Sequence, residues 1–149
     1  MKQKTIIWDW NGTLLNDIDI CIHAMNNMLE KRNLDKLSTE RYKDIFTFPV
    51  KDYYAMAGID FNIHSFDEMA DEFISQYYRD LPKATLFKDV HEVLKIINGK
   101  GIQQVIISAM EHNALVDSLK HFEIYHFLLY IDFCSTTITT LYGKEIKCL

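Results

Sequence analysis

The sequence predicts an α/β protein, a parallel sheet with a helical segment inserted into it, and three observations predict this. Short apolar runs rich in β-branched and aromatic residues alternate with helical patterns at 5–9 and across 90–131, the arrangement of a parallel sheet whose strands are joined by helices. Residues 16–82 carry helical patterns with no strand pattern between them. The charge is also uneven: residues 15–84 hold 8 basic and 13 acidic side chains, while the remainder holds 8 of each.

Taken in order, Thr5-Ile6-Ile7-Trp8-Asp9 is nearly continuous rather than alternating, which predicts a strand buried on both faces. Ile18, Cys21, Ile22, Met25, Met28 and Leu29 then recur at helical spacing, with Asn16 or Asp17 as cap. Short helical patterns follow near 39–46 and 50–56. Ser65-Phe66-Asp67-Glu68 is a capping-box sequence opening a helix through Phe66, Met69, Phe73 and Tyr77, and Pro82 marks its end. Val90, Val93, Leu94 and Ile97 form the next helix, stopped by Gly99 and Gly101. Gln104–Ile107 is the second strand, Ala114, Leu115, Leu119 and Phe122 mark a further helix, and Phe127–Ile131 is the third strand. The predicted division is a discontinuous core, 1–14 with 85–149, and a helical segment, 15–84.

Composition narrows the classes of function. With 149 residues, 48% hydrophobic and 25% charged, the chain reads as globular, with no low-complexity linker and no internal repeat. A net charge of −5 without a Lys/Arg stripe argues against nucleic acid as the main partner. Cys21, Cys134 and Cys148 match neither a disulfide framework nor a zinc pattern. No run approaches the length of a membrane span, and the apolar part of MKQKTIIWDW is too short for a signal peptide. The expectation is a cytoplasmic protein with no membrane partner.

Asp9-Trp10-Asn11-Gly12-Thr13-Leu14 directly follows the first strand. Ligands of open α/β sheets bind outside the carboxyl ends of strands, so a carboxylate at Asp9 stands where a nucleophile on phosphorus or a Mg²⁺ ligand belongs. Asn11-Gly12 is equally a hairpin-turn signal, and this segment alone leaves both readings open. The second strand ends in Ser108-Ala109-Met110 and runs into a helix. A hydroxyl with backbone N–H groups at a helix N-terminus is suited to holding phosphate. Two strand ends presenting Asp9 and Ser108 to one crevice favour phosphoryl chemistry.

On these residues the chain resembles the haloacid dehalogenase-like superfamily, mostly Mg²⁺-dependent phosphatases with a Rossmann-like core. Its first motif, hydrophobic strand then D-x-D-G-T-L, is similar to Trp8–Leu14, and its second, a buried strand ending in Ser or Thr, to Ile106-Ile107-Ser108. Leu86-Phe87-Lys88-Asp89-Val90 and Lys100-Gly101-Ile102 are similar to the phosphoglycolate-phosphatase-like members. The inserted helices resemble their C1-type cap, which closes over substrate. The resemblance covers roughly residues 4–133. It implies that Asp9 attacks phosphorus to form an aspartyl-phosphate, and that Mg²⁺ is held by the Asp9 carboxylate, the Asn11 carbonyl and a later acid. It further implies that Thr13, Ser108 and Ala109 bind the phosphoryl oxygens and that Lys144 offsets charge. The implied substrate is a small phosphorylated metabolite; dehalogenation at carbon fits these residues less well.

Two departures accompany it. The family's second aspartate, which protonates the leaving group and activates water, is Asn11 here. The family's fourth motif, paired acids after a further buried strand, has no match before Leu149, and Cys134–Tyr142 is unlike the loop that precedes it. The sequence expectation is a truncation or frameshift after about Phe133, which leaves the metal site short of ligands and the first strand's edge open to a second copy or to the Thr-rich tail. The competing reading is therefore an impaired homologue that binds a phosphate ligand or has no function. His112, His23 and His64 read as solvated or structural, and Met25 and Met28 as core.

Overall fold

The computed structural model describes residues 4–133. Among them the chain divides into two compact units, one of 4–16 with 85–133 and the other Asp17–Ala84.

The first unit is built on a parallel three-stranded sheet in the order β1 (Thr5–Trp8), β4 (Gln103–Ser108), β5 (Tyr130–Phe133). The register pairs Thr5 with Gln103 and Trp8 with Ile106 on one side of β4, and Val105 with Tyr130 on the other. Helix α5 (Val90–Gly99) leads into β4, and α6 (His112–His121) connects β4 to β5. A two-stranded antiparallel ladder, β2 (Leu15–Asn16) with β3 (Thr85–Leu86), joins the points where the chain leaves and re-enters this unit.

The parallel α/β reading holds, with local corrections. β1 is not buried on both faces. Among the described residues it has a neighbour on one side only, and Ile7 is 51% exposed. The centrally placed β4 is the strand whose Val105 and Ile106 are buried. The third strand lies later than the apolar run suggested: Tyr125–Phe127 is a 3-10 turn, Phe127 is buried, and β5 begins at Tyr130. The Leu129 N–H already donates to the Gln104 carbonyl at 2.8 Å, so pairing starts just before β5. The hairpin reading of Asn11-Gly12 fails, because β1 pairs with β4 and β2 with β3. Of the two residues only Gly12 has positive φ, +72°, whereas a type I′ turn requires it at both.

A buried glutamine ties this unit together. Gln104 is 1% exposed; its Nε2 donates to the Leu94 carbonyl at 2.9 Å and the Phe127 carbonyl at 3.4 Å, and its Oε1 accepts from Trp8 Nε1 at 3.1 Å. One side chain thus joins β4 to β1, α5 and the turn before β5. Gln104→Leu fills similar volume but removes the acceptor of the Trp8 indole N–H and a donor to the Leu94 and Phe127 carbonyls, so it is expected to cost about 2 kcal/mol. Urea denaturation followed by circular dichroism checks this; a midpoint equal to that of wild type would refute it.

The second unit is helical: α1 (Ile18–Glu30), α2 (Thr39–Ile45), α3 (Val50–Met56) and α4 (Phe66–Asp80), then a 3-10 turn Leu81–Lys83 containing Pro82. Its core joins Met25, Met28 and Leu29 of α1 to Tyr42, Tyr53, Tyr54 and Met69, so the two methionines are core residues. Arg32 and Lys31 both pair with Glu72 of α4. Two expected caps are absent. Ser65 stands at the N-cap of α4 without a side-chain bond, and the first turn carries Asp67 and Glu68, which favour that helix end. Asp17 precedes α1 without capping it; its Oδ2 accepts from the Tyr77 hydroxyl at 2.6 Å. Burial, with nearby Asp17, pushes the Cys21 thiol up to about 12, so it is a protonated packing group rather than a nucleophile.

Candidate active site

The local backbone after β1 explains how Asp9 is presented. The Trp10 carbonyl accepts from the N–H groups of Thr13, Leu14 and Leu15 at 3.2, 3.0 and 3.0 Å. Gly12 donates to the Leu15 carbonyl at 2.9 Å, and its left-handed φ lets the chain close this loop. Trp10 is fully buried and packs 6.0 Å from the Phe122 ring. The loop is therefore anchored by its large side chain, while Asp9, Gly12 and Thr13 are exposed and Asn11 is half-buried.

Four of the sequence-predicted residues lie together at the carboxyl ends of two adjoining strands. Thr13 Oγ1 donates to Asp9 Oδ2 at 2.9 Å, which fixes one carboxylate oxygen. Ser108, buried at the end of β4, donates through Oγ to Asn11 Oδ1 at 3.4 Å and accepts from the Met110 N–H at 3.1 Å. Ala109 is exposed in the bend that follows. Lys144 and the Thr-rich tail lie outside the described residues.

The helix terminus differs from expectation. Glu111, which sequence reasoning did not single out, caps α6: its carboxylate accepts from the Asn113 N–H at 3.0 Å and the Ala114 N–H at 2.9 Å. Those two donors are therefore engaged by the protein itself. The same bonds hold the Glu111 carboxyl below its ordinary value. The available signal was an acid immediately before a helical pattern. His112 follows as the first residue of α6 and is exposed.

The donor chemistry fits a hard cation in kind. Asp9 and the Asn11 carbonyl offer oxygen ligands, and Mg²⁺ is commonly held by one or two carboxylates with waters and substrate phosphates. Among the described residues no three His, Cys, Asp or Glu side chains converge as a metal-ligand group. No described helix is long and apolar enough to cross a membrane.

The family model of the haloacid dehalogenase-like hydrolases matches residues 6–140. No curated protein sequence matches the chain. A predicted phosphoglycolate phosphatase from Haemophilus somnus is similar in structure, with TM-score 0.70 and 20% identity over 87% of this chain and 61% of that one. A haloacid dehalogenase-like family hydrolase from Streptococcus pneumoniae gives TM-score 0.73 and 20% identity, over 89% of this chain and 62% of that one. A HAD family hydrolase from Deinococcus radiodurans, solved with bound phosphate and sodium, gives TM-score 0.64 and 18% identity over 88% and 57%. At these identities the likeness shows the fold. The chain spans about three fifths of the length of these structures, 61%, 62% and 57% respectively.

Proposed function

Because the chain belongs to the haloacid dehalogenase-like hydrolases, we propose that it is a cytoplasmic Mg²⁺-dependent phosphatase acting on a small phosphorylated metabolite through an aspartyl-phosphate on Asp9. The observation that carries this reading is the exposed Asp9 carboxylate at the end of β1, with Thr13 on its Oδ2 and Ser108 at the end of the adjoining parallel strand. The phosphate named with the Deinococcus radiodurans structure supports it by analogy.

In this mechanism Thr13 holds Oδ2 and Asp9 Oδ1 attacks phosphorus in line. The new P–O bond forms as the alcohol oxygen leaves with its electron pair. Water then attacks the phosphorus of the aspartyl-phosphate, releasing inorganic phosphate and restoring Asp9. Ser108 and the Ala109 backbone bind the phosphoryl oxygens, and Lys144 offsets their charge. Mg²⁺, held by the Asp9 carboxylate and the Asn11 carbonyl, would neutralise charge developing on the phosphoryl group. The Asn11 amide is far too weak an acid to give up a proton, so the leaving oxygen is protonated by water. By resemblance, the helical unit Asp17–Ala84 is the counterpart of the family's C1-type cap.

Hydrolysis of p-nitrophenyl phosphate with and without Mg²⁺, in wild type and Asp9→Asn, tests the proposal. A rate indifferent to both would sink it. That outcome would favour the second reading, an impaired homologue that binds phosphate ligands, which Asn11 in place of an acid supports.

Among the described residues β1 pairs with β4 alone, and this extends the proposal to association. Ile7 is half exposed on a face of that strand, and an unpaired strand edge invites a second strand. Light scattering is expected to give twice the chain mass of 17.6 kDa, with Ile7→Lys returning the single mass. A wild-type monomer would remove this part of the proposal.

A further inference from the structure

Five side chains of the first unit, His91, Lys120, Glu123, Tyr125 and His126, line an open cavity of about 510 Å³ that contains none of the residues assigned above to the candidate site. His91 lies in the first turn of α5, and His126 in the 3-10 turn before β5. Both imidazoles pack on the buried Phe127 ring. Its centroid is 5.2 Å from that of His91, edge to face, and 4.0 Å from that of His126. The Phe127 backbone is fixed in turn: its N–H donates to the Ile124 carbonyl, and its carbonyl accepts from Gln104. The two imidazole centroids stand 6.4 Å apart. Among the described residues, no hydrogen bond or ion pair engages either ring.

We propose that His91 and His126 together bind one divalent transition-metal ion of the Zn²⁺ class, which clips α5 to the turn before β5. Imidazole nitrogen holds Zn²⁺ at about 2.0–2.1 Å, so two rings sharing an ion have centroids roughly 5–6.5 Å apart. The observed separation lies within that span. Both side chains are exposed, so each ring can turn a nitrogen toward one point between them. No third His, Cys, Asp or Glu converges with them among the described residues, and waters complete the coordination. Glu123 adds a carboxylate to the same cavity, while the Lys120 ammonium lies over the Tyr125 ring, 5.5 Å from its centroid. Nitrogen donors favour this class of ion over Mg²⁺, which takes oxygen. Gln104, which anchors Phe127, precedes Ser108 by four residues on β4, about 13 Å of strand. The histidine pair thus differs from the site at Asp9 in both chemistry and place.

Calorimetric titration of the full chain with Zn²⁺, in excess Mg²⁺, tests this directly. The affinity is expected to fall at least tenfold in His91→Ala and in His126→Ala, and to persist in Asp9→Asn. Both histidines are exposed, so neither substitution empties a core position. The clip has a second readout, because an ion that binds only the folded chain raises its unfolding temperature. At a hundredfold excess of Zn²⁺ over Kd the wild-type midpoint is expected to rise by about 5 °C, and in either histidine variant to rise clearly less. A Zn²⁺ affinity indifferent to both histidine substitutions would overturn the proposal, as would a wild-type chain that binds no Zn²⁺. Binding lost in Asp9→Asn but kept in the histidine variants would assign the ion to the candidate active site and overturn the proposal equally.

Discussion

Asp9→Asn is expected to lower Mg²⁺-dependent hydrolysis of p-nitrophenyl phosphate by on the order of 10⁴-fold or more, the scale on which removal of a covalent nucleophile acts. An amide oxygen is a poor nucleophile, and the substitution also deletes the charge proposed to hold the cation. The fold gives this experiment a clean control. Asp9 is exposed, and its one described bond comes from the Thr13 hydroxyl at 2.9 Å, which an asparagine oxygen also accepts. Trp10, not Asp9, anchors the loop. Stability should therefore move by no more than about 0.5 kcal/mol, the usual range for a surface substitution. Thermal denaturation beside the kinetics separates lost chemistry from lost structure. A variant that melts like wild type and also hydrolyses like wild type would rule out Asp9 as nucleophile.

If the wild-type chain shows no Asp9-dependent rate, the binding reading gains ground for a specific reason. The hydroxyls of Ser108 and Thr13 would still stand at the strand ends. Proton transfer and a full set of metal ligands are what the described residues do not provide. Phosphate recognition and phosphate hydrolysis thus depend on different parts of one site.

The parallel architecture was legible because its signals are long-range and repeated. Apolar periodicity placed α1, α4, α5, α6 and β4 close to their observed limits. Features that depend on neighbours were not legible. The run Thr5–Trp8 looks doubly buried by composition, yet burial of a strand depends on what pairs beside it, and β1 has β4 alone among the described residues. Phe127–Ile131 looked like one strand, but Phe127 is buried within a turn and the ladder begins after it. β2 and β3, two residues each, carry no periodicity at all. At the candidate site, Asp9 and Ser108 were legible because each ends an apolar run. Glu111 was not, because an acid before a helical pattern is common and only the structure shows its carboxylate bonded to the Asn113 and Ala114 N–H groups. Gln104 was hidden for a similar reason: a glutamine inside an apolar run reveals nothing of the three partners it satisfies.

Asn11→Asp is expected to raise turnover by about 10²–10⁴-fold, the range supplied by a placed general acid and base. The substitution is nearly isosteric, and an aspartate oxygen can still accept from Ser108 Oγ, now 3.4 Å from Asn11 Oδ1. Because Asn11 is half-buried rather than enclosed, a carboxylate there keeps access to water, so its charge is tolerable. The gain should depend on the leaving group. p-Nitrophenolate departs without needing a proton, so its release benefits little; glycerol 3-phosphate releases a basic alkoxide and should show the larger increase. Asn11-Gly12 can itself deamidate to aspartate, so peptide mapping must first establish that the wild-type preparation carries unmodified Asn11. With that settled, equal gains on both substrates would assign the new carboxylate to a step that both share, such as activating the water that hydrolyses the aspartyl-phosphate, and not to protonating the leaving group. No gain on either would mean that the chain already obtains its proton elsewhere, and the loss attributed to Asn11 would have to be withdrawn.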